Sequence, residues 1–131
     1  MPTKSASPTV ASHFDKSAPA VRATYDALLR ASRELGAVRE EPKKTSIHLV
    51  RASAFAGVAT RKDALILTLK SDCRIQSSRI ARAEQTSVNR WHLEIRLRAP
   101  AEVDAEVRGW LVDLTRFNGH AVVDETLGEK I

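Results

Sequence analysis

Apolar positions recur every three or four residues from Ser17 to Leu35, with Val21, Tyr25, Leu28, Leu29, Ser32 and Leu35 on one stripe. Arg22, Asp26, Arg30 and Arg33 fall mostly off it, so the spacing predicts a helix with one face on a core. Pro19 suits a first helical turn and Gly36 is placed to end the helix. Beyond Pro42 the period changes to two. Thr45, Ile47 and Leu49 share one face and Ser46, His48 and Val50 the other; Phe55 to Ala59 reads as a second short strand; Leu65, Leu67 and Leu69 alternate with Ile66, Thr68 and Lys70. The most polarised strand runs from Trp91 to Arg98, with Trp91, Leu93, Ile95 and Leu97 opposite His92, Glu94, Arg96 and Arg98.

After Pro100 the helical period returns through Val103, Val107, Trp110, Leu111, Leu114 and Phe117. Acids Glu102, Asp104 and Glu106 come early and Arg116 late, the order that the helix dipole favours. Between Cys73 and Arg90 the pattern is faint. Ser77 to Glu84 reads there as a short helix or turn with Ile80 as its one strong apolar anchor. The order α-β-β-β-(short α)-β-α predicts a two-layer α+β sandwich: a four-stranded, mainly antiparallel sheet with the N- and C-terminal helices packed on one face. Residues 1–13, rich in Ser, Pro, Thr and Ala, are expected to be a disordered lead-in to a single domain over 14–118. Asn118-Gly119-His120 is expected to break the last helix and leave 119–131 as a C-terminal extension.

At 131 residues, 43% hydrophobic and 28% charged, the chain is long enough for one ordinary core and needs no disulfide or metal to fold. No apolar run approaches the roughly 20 residues of a membrane helix, and Pro2 and Pro8 interrupt any secretory signal, so a cytoplasmic location is expected. The single cysteine, Cys73, excludes an internal disulfide framework and a Cys-clustered zinc site. An adjacent cation, Arg74, has the sign to activate it, although an incidental loop thiol is the plainer reading.

The net charge of +5 conceals a polarised chain: residues 39–98 hold 13 Lys and Arg against 6 Asp and Glu, whereas residues 99–131 hold 3 against 7. A basic excess on the sheet segment suits a surface that meets anions, and it equally serves to keep a solvated sheet face soluble. Within it, Lys43, Lys44, Ser46 and His48 on one strand, and Arg90, His92 and Arg96 on another, are the candidate ligand-binding residues, with Glu94 on the same face. Imidazoles, hydroxyls and cations on one surface can clamp a phosphate or move protons near neutral pH. Each His serves equally well as a cross-strand hydrogen-bonding residue. His48, His92 and Glu94 form only a weak two-His-one-carboxylate set, and neither a metal nor a cofactor is expected. Glu40-Glu41 reads as surface charge at a strand entry.

The nucleophile elbow, the glycine-rich phosphate loop, the dinucleotide fingerprint and the His-Glu-x-x-His motif are all missing, and there are only five glycines. With six aromatic side chains and no aromatic-basic alternation, any nucleic-acid contact would run through phosphates.

The segments His13-Phe14, Ala20-Val21-Arg22, Glu40-Glu41-Pro42-Lys43-Lys44-Thr45-Ser46-Ile47-His48, Phe55-Ala56-Gly57-Val58 and Ser87-Val88-Asn89-Arg90-Trp91-His92 resemble a bacterial family of uncharacterised domains, domain of unknown function 5655. The resemblance covers most of Phe14 to Phe117 and implies a compact α+β domain with no established reaction. A non-enzymatic module with a basic sheet face for an anionic small molecule or acidic partner is therefore the leading expectation. A phosphate-substrate hydrolase or transferase using His48 or His92 as acid-base is one alternative, and an accessory domain binding nucleic-acid phosphates is another. Pairing through an exposed strand edge would make the chain a homodimer, and the sequence leaves monomer and homodimer open.

Overall fold

The computed structural model describes the backbone of residues 8–124 and the side chains of residues 8–114. Helix α1 (Pro19–Arg33) begins with Pro19 in its first turn and buries Val21, Tyr25, Leu28 and Leu29. Its two buried hydroxyls turn back on the helix, Thr24 Oγ1 donating to the Ala20 carbonyl and Ser32 Oγ to that of Leu28. The helix ends as its sequence indicates. Gly36 adopts a left-handed φ of 141°, and the Arg51 guanidinium donates to the carbonyls of Ser32 and Ala37 at 3.2 Å each.

Six strands follow: β1 (Arg39–Pro42), β2 (Ile47–Val50), β3 (Ala54–Thr60), β4 (Leu65–Ser71), β5 (Ile80–Ser87) and β6 (Arg90–Leu97). They form one antiparallel sheet in the order β1-β2-β3-β4-β6-β5. Helix α2 (Ala105–Asp124) closes the chain. Ile47, Leu49, Ala56, Val58, Leu65, Leu67, Leu69, Leu93, Ile95 and Leu97 project to one face, where both helices pack on them. Each fully buried Leu or Ile there contributes about 1.5–3 kcal/mol. The α+β class, the antiparallel pairing and the two covering helices match the sequence expectation.

The strand count does not: the sheet has six strands rather than four. Arg39–Pro42 is not a mere charged lead-in but an edge strand in register with Ile47–Val50. The expected short helix over Ser77 to Glu84 is instead a turn at Ser77, where the Ile80 amide bonds back to the Ser77 carbonyl, followed by β5. Both additions are edge strands. They bury few side chains, so the apolar alternation by which strands are recognised never develops.

Two further segments differ in detail from the sequence pattern. Residues 11–14 form a single 3-10 turn held to the domain through His13, whose Nε2 donates to the Lys43 carbonyl at 2.8 Å, and residues 1–7 lie outside the described residues. Helix α2 continues through Asn118-Gly119-His120 to Asp124, and residues 125–131 of the expected C-terminal extension lie outside the described residues. The crossover from β4 to β5 is fastened to the start of α2. Arg79 Nη1 lies 2.8 Å from both Asp104 carboxylate oxygens, Nη2 donates to the Glu102 carbonyl, and Asp104 also receives the Val107 amide. Among the described residues, no helix is long and apolar enough to cross a membrane.

Candidate functional site

The sheet face opposite the helices carries the polar half of each alternating strand. Register places Glu41, His48, Gly57, Thr68, Glu94 and Arg82 in one row running from β1 to β5. A neighbouring row sets Lys70 opposite His92, and His92 opposite Glu84. Strand β3 crosses this face with small residues only, Ala54, Gly57 and Ala59, so the surface dips between β2 and β4. The result is a shallow depression of about 230 Å³ floored by β3 and rimmed by Ser46, His48, Thr68, Lys70 and His92. Its floor at Gly57 is open: a Cβ built there meets nothing within 4 Å.

His48 is half-buried at this rim. Burial pushes its imidazole below the usual pKa of 6.5, the positive charges of Lys43 and Lys70 push it further, and Glu41 opposes them. At neutral pH it is therefore an uncharged ring able both to donate and to accept one hydrogen bond, while Lys70 keeps the rim cationic.

Ser46, His48 and His92, expected to share a face, do line one depression. The other four candidates stand apart from its lining. Lys43 reaches Glu41 at 3.6 Å and acts on His48 through its charge. Lys44 is exposed in the β1–β2 turn, Arg90 is exposed beside the β5–β6 turn opposite Ser87, and Arg96 is exposed opposite Ile66. Thr68 and Lys70 belong to the rim but were not among the candidates; their alternation with Leu67 and Leu69 carried the signal, and strand order was needed to use it. Among the described residues, no three His, Cys, Asp or Glu side chains gather as metal ligands, so His48, His92 and Glu94 do not form the three-ligand set considered from sequence.

Several other features are accounted for structurally. Glu40 receives the Tyr25 hydroxyl at 2.6 Å and lies 3.6 Å from Arg33, and Glu41 is bound by Arg39, so this acidic pair holds β1 against α1 and its own strand. Partial burial, reinforced by Asp72, pushes the Cys73 thiol up, the reverse of activation by Arg74. Arg74 instead stacks over Trp91 at 5.9 Å. A larger hollow of about 360 Å³ is lined by the last turns of α1 and its cap Glu34, and two of its charges are engaged, Asp26 with Arg22 and Arg33 with Glu40.

No curated protein and no solved structure matches this chain. A family model does, over residues 10–113, a span that takes in α1, all six strands, the first part of α2 and the whole rim of the depression. The chain accordingly belongs to the family described as a domain of unknown function (DUF5655).

Proposed function

We propose that this domain is a non-enzymatic binding module whose open sheet face receives a small anion, of the phosphate or phosphorylated-metabolite class, in the depression over β3. The observation that carries this reading is the convergence of hydrogen-bond donors, Ser46 just ahead of β2, His48 on β2, Thr68 and Lys70 on β4 and His92 on β6, around a floor of small side chains. Hydroxyls and imidazoles orient an oxyanion, and a lysine supplies its counter-charge. Lys43, Lys44, Arg90 and Arg96 lie farther out and would raise the local anion concentration rather than touch the ligand. The cytoplasm is the proposed location, where a lone thiol such as Cys73 stays reduced.

Thermal unfolding at low ionic strength tests the reading with inorganic phosphate, a nucleoside diphosphate and a short oligonucleotide as probes. Phosphate and the diphosphate are expected to raise the melting temperature of the native chain and to lose that effect in Lys70→Ala. The absence of a shift with every probe, or an equal shift in Lys70→Ala, rejects the site. A shift confined to the oligonucleotide rejects the small-anion assignment in favour of nucleic-acid phosphates.

A further inference from the structure

We infer that β5 is a docking edge for a second copy of this chain, pairing antiparallel with its own equivalent about a two-fold axis through Ala83. β5 is the last strand of the sheet and, in the ladder, bonds to β6 alone. From Arg82 to Gln85 it keeps unbroken register with β6, and its irregularities fall outside that run, between Ile80 and Arg82 and between Gln85 and Ser87. Among the described residues, its outer edge therefore offers a regular extended backbone in a mostly exposed strand.

The sequence of that run is complementary to itself. Antiparallel pairing centred on Ala83 sets Arg82 of one copy opposite Glu84 of the other, and the two-fold repeats the pair, so one pattern yields two ion pairs. No like charges are opposed within the regular run from Arg82 to Gln85. Within one copy the same Arg82 and Glu84 make only a marginal contact of 4.0 Å, with side chains 64% and 55% exposed. The axis stands perpendicular to the sheet, so both open faces lie on the same side.

The opposite edge is guarded more heavily than the regular run of β5. β1 has four residues, ends on Pro42 without an N–H, and the carbonyl just beyond it is taken by His13. Two-fold pairing about the midpoint of β1 would also oppose Glu40 to Glu41 in both directions, and pairing about Glu40 would oppose that residue to its own copy. The acids that protect β1 have no counterpart in the balanced charges of β5.

Sedimentation equilibrium of the full chain, from about 1 μM to about 1 mM, tests the inference across the affinity range of small strand-edge contacts. The native chain is expected to show a monomer–dimer equilibrium. Glu84→Arg and Arg82→Glu, each with unchanged circular dichroism, should raise the dissociation constant about tenfold or more, because two attractive pairs become two repulsive ones. Mixed in equal amounts, the two variants should associate again, since one copy then carries arginine and the other glutamate at both pairs. A native chain that stays monomeric throughout overturns the inference, as do variants that dimerise like the native chain or that fail to associate when mixed.

Discussion

Replacing Gly57 by valine separates the proposed site from the fold. Gly57 lies in the middle of β3 between His48 and Thr68, its backbone is outside the left-handed region, and an added Cβ has no atom within 4 Å. The fold therefore gives no steric reason for glycine. Removing glycine from a strand interior gains about 0.5–1 kcal/mol, and a β-branched side chain suits the pleated surface. Each kcal/mol raises the melting temperature by about 4–8 °C at 60–100 residues and by about 2–4 °C at 150–250, so in this chain of 131 residues Gly57→Val should melt a few degrees above the native protein. The isopropyl group, however, occupies the floor of the depression. A ligand at a hundredfold excess over its dissociation constant stabilises the native chain by about 2.7 kcal/mol, and that increment should vanish in the variant. Thermal unfolding with and without phosphate at low salt reads both effects. A variant that melts several degrees lower refutes the open floor, and one that keeps the full phosphate increment refutes the location of the site.

Other substitutions probe the surrounding structure. His48 has a folded-state pKa below its unfolded value of 6.5, so as pH falls below 6.5 the unfolded state takes the proton first and folding stability declines; His48→Asn should flatten that part of the pH–stability curve. Protonation of His48 adds a cation to the rim, so the affinity for sulfate, whose own charge is fixed over this range, should rise as pH falls, and the rise should be smaller in His48→Asn, which leaves His92 on the rim. Arg79→Ala should cost about 1–2 kcal/mol in urea unfolding, reduced by partial exposure, because it frees the crossover from the start of α2. Asp104 is held below its usual pKa of 3.8 chiefly by the Arg79 hydrogen bond, a stabilisation present above that pH and lost as pH falls; the acid limb should therefore be shallower in Arg79→Ala. Gly36→Ala combines an unfavourable φ of 141° with a Cβ only 2.5 Å from Arg51 Nη1, and should lose about 1–3 kcal/mol; an unchanged melting temperature contradicts that reading of the α1 terminus.

The parts of this molecule that were legible in its sequence are those that bury one face. The stripe from Val21 to Leu29, and the alternations Leu65-Leu67-Leu69 and Leu93-Ile95-Leu97, announce their elements because the other face is polar. β1 and β5 escaped because an edge strand has little to bury: Arg-Glu-Glu-Pro lacks an apolar residue apart from its proline, and β5 buries only parts of Ile80 and Ala83. The candidate site was half legible for a related reason. Alternation assigned Ser46, His48 and His92 to the polar face, but only the strand order brings Lys70 opposite His92 and lays β3 between β2 and β4. The floor left no trace in a search for reactive residues, since Ala54, Gly57 and Ala59 contribute by being small. Charge counting was least discriminating, because Lys44, Arg90 and Arg96 enlarge the basic total while standing outside the depression.

The central claim is that an anion binds on the open sheet face over β3, and a titration of the ¹⁵N-labelled chain with inorganic phosphate at low ionic strength tests it most directly. Saturable amide shifts are expected at His48, Gly57, Thr68, Lys70 and His92, with little change along α1. Shifts that fail to saturate, or that centre on Arg22, Arg30 and Arg33 of α1, would contradict it.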